Sequence, residues 1–518
     1  MTMLRPTAAD LAELAARGIA PAEAERQLAL LADPPERLHI ERPCTVGDGI
    51  ERIAPGRHEV LAAAHDRAAL AGRWTRFVPA SGAATRMFQS LLAVRAGESP
   101  TRASLERAAA GGSPDARATL ETLDGLERFA FHDALEAALA RQGASIASCR
   151  AAGDVRTVLD TLLDAGGFEL AACPKGLLAF HRDGGTPRTA FEEQLREALV
   201  LGRDAGGRSR THFTVSPEHE AGFTTLLERL RPALEGDAGL WLDNAFSCQK
   251  PSTDTVALGD DGEPFRIDGR LLFRPAGHGA LIENLADLGS DLVSIKNIDN
   301  VQPVSRRGPT LRWARVLGGR LLELESRLHA WLERLDDTSD ASAPAEAMRF
   351  VTETFGDAPG GEAGAGSDAR AAARARLHRP LRVCGMVPNT GEPGGGPFWV
   401  RGRGGALTRQ IVESAEIDPG RPGQREVFER GTHFNPVFLV CALRDHRGAP
   451  YPLADSIDPD AVIVTRKSAG GRPLRALERP GLWNGAMARW LTVFVEVPIE
   501  VFTPVKTLND LLRPEHQP

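Results

Sequence analysis

Residues 74–87, Trp74-Thr-Arg-Phe-Val-Pro-Ala-Ser-Gly-Ala-Ala-Thr-Arg-Met87, carry the pattern on which the fold turns. Trp74–Ala80 reads as a buried strand and Ser81–Thr85 as a loop of small side chains; helical patterning resumes at Arg86. Strand, small-residue loop and helix start, in that order, open a unit of an α/β sheet. Small side chains let backbone N–H groups approach phosphate oxygens, and a helix N-terminus adds partial positive charge. Ala80, Ser81, Gly82, Ala83 and Thr85 are therefore the candidate nucleotide cradle, with Arg86 supplying a charge-assisted contact. The loop is not a Walker A motif, since no G-K-[ST] follows. A tight strand-to-helix turn without a ligand would use the same residue types.

Outward from this stretch, strand signals fall at Gly176–Phe180, Arg210–Val215, Leu240–Phe246, Arg270–Phe273 and Asp291–Ile295, with helices at Thr189–Leu199 and Pro217–Leu230. That alternation predicts a largely parallel, two-sided sheet. The Ala-, Leu- and Arg-rich stretch 91–172 reads as a helical insertion. Residues 1–70 read as a helical extension, with a Thr7/Asp10 capping box, a Gly18 C-cap and Pro21 opening a second helix. Leu311–Leu335 is an amphipathic helix, and Asp336–Ala345 and Gly356–Ser367 read as mobile linkers. The expected division is thus an extension (1–70), a core (71–310), a helix and linker (311–380) and a C-terminal part (381–518). Strands near Phe434–Leu443 and Trp490–Val497 would let that last part complete the sheet and an acceptor pocket.

Composition narrows the function classes. With 62 basic and 69 acidic residues among 518, the net charge of −7 argues against broad nucleic-acid binding. Six scattered cysteines without a C-x-x-C pair suggest neither zinc nor a disulfide framework. No signal-peptide h-region or membrane-length apolar run is evident, so a soluble cytoplasmic protein is expected. Oligomeric state is left open.

Four further motifs carry chemistry. In Cys173-Pro-Lys-Gly-Leu-Leu-Ala-Phe180, a lysine stands between a proline and an apolar strand, where a phosphate-directed ammonium makes sense of it. A snorkelling surface lysine is the alternative. In Phe273-Arg-Pro-Ala-Gly-His-Gly-Ala-Leu281, Gly277 and Gly279 flank His278, so the backbone can lie flat against a base or ribose; an ordinary turn is the alternative. Ile295-Lys-Asn-Ile-Asp-Asn-Val301 ends a strand in Asp299 and Asn300, the place where open α/β sheets bind ligands. A carboxylate there can hold Mg²⁺, or it can simply cap a turn. Phe502-Thr-Pro-Val-Lys-Thr-Leu-Asn-Asp-Leu511 offers a second such lysine, Lys506. The C-terminal third adds Glu392, Gly395, His433, Asn435, Trp483 and Asn484, in stretches whose amide, aromatic and glycine content suits a carbohydrate-like acceptor or, equally, structural turns.

In this order the motifs resemble nucleotide-sugar pyrophosphorylases, especially the UDP-glucose and UDP-N-acetylhexosamine group. Gly82-Ala-Ala-Thr-Arg86 is similar to that group's G-x-G-T-R signature, with Ala84 at the second glycine. Pro174-Lys175 with Gly185-Thr-Pro187 looks like its P-K segment, displaced by the 91–172 insertion. Gly277-His-Gly279 is similar to its uridine-contacting G-H-G, Ile298-Asp-Asn300 to its metal strand, and Pro504-Val-Lys506 to its C-terminal P-V-K. The whole chain, including Arg42–Gly49 and Arg382–Met386, resembles the bacterial family domain of unknown function 4301.

The resemblance implies a Rossmann-like, GT-A-type mixed sheet and transfer of a nucleoside monophosphate from UTP to a sugar 1-phosphate. Arg86 and Lys175 would hold the triphosphate, Lys506 the shared phosphate, Asp299 the Mg²⁺, and Gly277, His278 and Gly279 the base or ribose. Asn300 would join the acceptor side. A glycosyltransferase and a catalytically inactive nucleotide-binding protein are the rival readings. The former usually carries an Asp-x-Asp motif at the end of the relevant strand, and none stands there.

Overall fold

The computed structural model describes residues 6–82, 84–97, 100–164, 167–236, 239–356, 368–392, 394–402, 405–418 and 420–517. Two compact units emerge, one of residues 1–77, 247–295 and 314–499, the other of 78–246, 296–313 and 500–518. They are drawn differently from the four expected segments, because each gathers distant stretches of chain.

In the first unit a large mixed sheet runs in the order Thr45–Val46, Gly49–Glu51, Leu491–Glu496, Leu381–Pro388, Phe438–Ala442, Leu292–Lys296, Trp74–Pro79. Leu292–Ile295 pairs in parallel with Trp74–Phe77, and Leu381–Met386 in parallel with Leu491–Glu496, while Phe438–Ala442 is antiparallel to Leu381–Pro388. Runs such as Trp74-Thr-Arg-Phe-Val and Leu491-Thr-Val-Phe-Val are buried throughout, as strands covered on both faces must be. The chain is therefore α/β with a mostly parallel sheet, as its alternating elements predict.

The N-terminal helices form as read. Thr7 and Asp10 make the reciprocal capping box, Gly18 closes Ala8–Arg17 in the left-handed conformation, and Pro21 opens Pro21–Ala32. Leu14, Ile19, Leu28 and Leu31 pack on Val256, Leu258 and Leu477 of a smaller four-stranded sheet. The stretch 1–70 is not helical throughout, however. His39–Pro43, Thr45–Val46 and Gly49–Glu51 are strands. His39–Pro43 has one fully buried side chain, and it is held by pairing with Gly395–Arg401, a partner no local pattern announces.

The second unit holds the expected helical insertion, in which Thr101, Ser113, Ser145 and Asp154 each cap a helix N-terminus with a side-chain oxygen. It also holds the strand Arg208–Val215 and the helices Ala190–Leu201 and Glu220–Gly236. Two expectations need correction. Gly176–Phe180 is not one strand: Lys175–Leu177 is a 3₁₀ turn and the strand is Ala179–Asp183. A Cβ on Gly176 would stand 2.6 Å from the Phe223 ring, so the glycine lets the turn pack there. Asp336–Ala345 is not a free linker either. Asp340 accepts from Ser342 and Ala343 amides and pairs with Arg334, and a helix runs Ala343–Phe355. Of the second expected linker, residues 357–367 lie outside the described residues.

Candidate functional site

The second unit brings together Lys175, Asp299 and Lys506. Lys175 leaves its 3₁₀ turn with Nζ 2.8 Å from Asp299 Oδ2 and 2.7 Å from the Val505 carbonyl. Lys506 Nζ donates to the same Oδ2 at 3.1 Å. Asp299 is buried and Lys175 nearly so, whereas the Lys506 side chain is 43% exposed. Burial opposes ionisation of Asp299, but Lys506 and Lys175 outweigh it and hold the carboxyl below its ordinary range. One carboxylate thus faces two cations, an arrangement with positive charge in excess.

The backbone makes this convergence stiff. The Val505 amide donates to the Asp299 carbonyl, and Asp510 Oδ2 accepts from the amides of Lys506 and Thr507. Asn300, expected on the acceptor side, ties two chain segments together. It is fully buried, gives Nδ2 to the Val501 carbonyl at 3.3 Å and takes the Thr503 amide on Oδ1 at 3.1 Å. A side chain so engaged holds the Lys506 segment beside Asp299.

The 80–86 loop also lies in this unit, with changes from its sequence reading. The Ala80 amide is bonded to the Thr214 carbonyl and the Ala84 amide to the Cys173 carbonyl, so neither can face a phosphate. The Ser81 carbonyl accepts from Ser216 Oγ, which pins the loop to the end of Arg208–Val215. A Cβ on Gly82 would meet nothing within 4 Å, so its backbone stands open. Thr85 and Arg86 are exposed, and Ala84 is buried at the start of a three-residue 3₁₀ turn. That turn replaces the expected α-helix start, which comes only at Gln89. Ala83 lies outside the described residues.

The first unit holds the other sequence candidates. Gly277 adopts φ 78°, a conformation that favours glycine, and Gly279 lets its own chain approach closely. A Cβ on Gly279 would lie 2.1 Å from the Pro480 carbonyl oxygen. Across that contact, Leu482 N–H donates to His278 Nδ1 at 3.0 Å, and the imidazole stacks on Trp483 with centroids 4.2 Å apart. Burial lowers the His278 pKa against the pull of Glu413 and Glu478, so the ring is neutral with its proton on Nε2.

Asn484 Nδ2 donates to Glu416 Oε2 at 2.9 Å, leaving the buried Asn484 Oδ1 and Glu416 Oε1 without hydrogen-bond partners among the described residues. Burial pushes Glu416 up to about 8. Nothing in the sequence singled out this glutamate. Asn435 Oδ1 caps the Val437 amide, and the Asn435 amide bonds the carbonyl of buried Gly395. His433 Nε2 stands 3.6 Å from Glu496, and Glu392 is half-buried in the preceding turn.

Fold and side chains define an α/β protein with a lysine–carboxylate–lysine centre in one unit and a neutral histidine stacked on tryptophan in the other. The chain belongs to the family described as Domain of unknown function (DUF4301), whose model matches residues 7–517. A search of curated proteins finds no match. Among solved structures, the chain is similar to UDP-N-acetylglucosamine pyrophosphorylase of Trypanosoma brucei in complex with inhibitor, at 15% identity over 98% of this chain and 79% of that one, TM-score 0.48. It is likewise similar to a UDP-glucose pyrophosphorylase mutant of Leishmania major in complex with UDP-glucose, at 13% identity over 99% and 79%, TM-score 0.45. Among the described residues no helix is long and apolar enough to cross a membrane.

Proposed function

We propose that the chain is a nucleotidyltransferase that moves a nucleoside monophosphate from a nucleoside triphosphate to a sugar 1-phosphate or similar phosphate, releasing pyrophosphate. The observation that carries this reading is the pair of ammoniums on Asp299, an anion site with one cation nearly buried and the other within reach of solvent. UTP is the nucleotide favoured by the motif resemblance.

In the reaction an acceptor phosphate oxygen attacks the α-phosphorus. A new P–O bond forms as the bond to the bridging oxygen breaks, and pyrophosphate leaves with that electron pair. Such chemistry is limited by positioning and charge neutralisation more than by covalent help from the protein. Lys175, fixed by Asp299 and Val505, neutralises the triphosphate. Lys506, the more exposed cation, turns from Asp299 to the phosphate that the two substrates share. Arg86, exposed beside the loop, screens the leaving group.

Mg²⁺ commonly takes one or two carboxylates and completes its shell with phosphate oxygens and water. Among the described residues no group of three or more His, Cys, Asp or Glu side chains could hold a metal alone. The lone Asp299 fits only a cation of the phosphate-sharing kind, which when bound would supply further neutralisation of the triphosphate.

The test is a pyrophosphate-release assay over the four nucleoside triphosphates and a panel of sugar 1-phosphates and other phosphates, with calorimetry alongside. Release that needs both substrates supports the reading. Nucleotide binding without release from any pair overturns it in favour of a binding protein.

A further inference from the structure

We infer that Glu193 is a positioning residue for the Lys175–Asp299–Lys506 centre, joining the segment that bears Asp299 to the segment that bears Lys506. The inference rests on the nucleotidyltransferase reading for its kinetic consequence, though not for its geometry. Glu193 lies on the helix Ala190–Leu201, buried with its neighbours Gln194 and Glu197. Its Oε2 accepts from the Arg307 guanidinium at 2.8 Å, and Arg307 follows Asp299 in the same stretch of chain. Its Oε1 stands 3.2 Å from His181 Nδ1, and His181 Nε2 stands 2.9 Å from Nδ1 of His516, at the far end of the Lys506 segment. His181, Glu193 and His516 are each at most 3% exposed.

The proton order follows from the carboxylate. Glu193 can only accept, so His181 carries its proton on Nδ1. Burial, with His181 and Arg513 adding to it, pushes His516 down to about 3. The same helix holds the Asp299 segment at two further points. Gln194 Nε2 donates to the Asn297 carbonyl at 2.8 Å, and both Glu197 oxygens accept from Lys296 Nζ, at 2.8 and 2.9 Å. A buried charged cluster is weak evidence for stability, since apolar residues of the same volume serve as well. What it does fix is register, here the placement of two segments on one helix.

The test uses the full chain and reads the Lys506 amine directly. Acylation of Lys506 is followed by mass spectrometry, with exposed Lys467 as internal standard. Glu193→Gln is the direct variant. His516→Leu breaks the relay while leaving the helix intact, and His516→Gln can still hydrogen-bond His181. Faster labelling of Lys506 in Glu193→Gln and His516→Leu, with near wild-type labelling in His516→Gln, is the expected result. In the first two variants kcat should fall roughly 10- to 100-fold with KM for the nucleotide little changed, as expected for reacting groups displaced by about an ångström.

Glu192→Gln is the control, a buried acid on the same helix that pairs with Arg188 and Arg196; it should leave both readouts unchanged. Unchanged Lys506 labelling in His516→Leu overturns the inference, and so does an equal loss in the Glu192→Gln control. Absence of pyrophosphate release from the wild-type chain would overturn the proposed function alone, because the labelling would still decide the positioning.

Discussion

At the scale of single residues, the decisive group is Asp299 between two lysines. Its lowered pKa has a defined consequence for stability. A carboxyl whose folded pKa is depressed contributes stability above its unfolded pKa and loses it as pH falls through the folded value. Acid unfolding of the wild-type chain below about pH 4 should therefore be steeper than that of Asp299→Asn, measured by circular dichroism against pH. The two lysines should differ. Lys506→Ala removes only the exposed partner and leaves Asp299 paired with Lys175, so it should cost about 1 kcal/mol or less in stability, whereas Asp299→Asn strands the nearly buried Lys175 and should cost more. Glu416 runs the other way. With its pKa raised to about 8, its ionisation favours the unfolded chain as pH climbs from about 4.5. Glu416→Gln keeps an acceptor for Asn484 and should stabilise the chain by on the order of 1–3 kcal/mol at pH 8, with no gain near pH 4.5. Equal denaturant midpoints for the two proteins at pH 8 would count against a neutral Glu416.

At the scale of elements, glycines decide how close segments come. Gly279→Ala would drive a Cβ to 2.1 Å from the Pro480 carbonyl oxygen, so it should destabilise the chain by about 1–3 kcal/mol and disturb the His278–Trp483 stack, seen as a change in tryptophan fluorescence. Gly82→Ala meets open space and should be tolerated for folding. Elements were legible in the sequence wherever a local rule governs them. The Thr7/Asp10 box, the Gly18 cap and the continuous apolar strand at Trp74 needed no distant partner. His39–Pro43 could not be read, because Gly395–Arg401 makes it a strand. The loop at 80–86 was found, but not that Ala80 and Ala84 commit their amides to Thr214 and Cys173.

At the scale of the whole molecule, each unit is assembled from three stretches far apart in the chain. That assembly explains which site residues the sequence could suggest. Lys175, Asp299 and Lys506 stood out singly, as a lysine after proline, an acid at a strand end and a lysine on a stiffened tail. Their convergence on one carboxylate oxygen is a property of the fold. His181, Arg307 and His516 escaped notice because each is an ordinary residue locally, and only their burial in contact with Glu193 or one another gives them meaning. Glu193 and Glu197, one helical turn apart on the same helix, were the trace available.

The proposed nucleotidyl transfer at the lysine–carboxylate–lysine centre would make Lys175 indispensable to turnover. The decisive quantity is the rate of pyrophosphate release at saturating nucleoside triphosphate and sugar 1-phosphate, compared between the wild-type chain and Lys175→Ala. Acceptor-dependent release is expected from the wild type, with a loss of about 10²-fold or more in kcat in the variant, the usual scale for removing one preorganised electrostatic contact. Wild-type rates in a folded Lys175→Ala protein would contradict transfer at this centre.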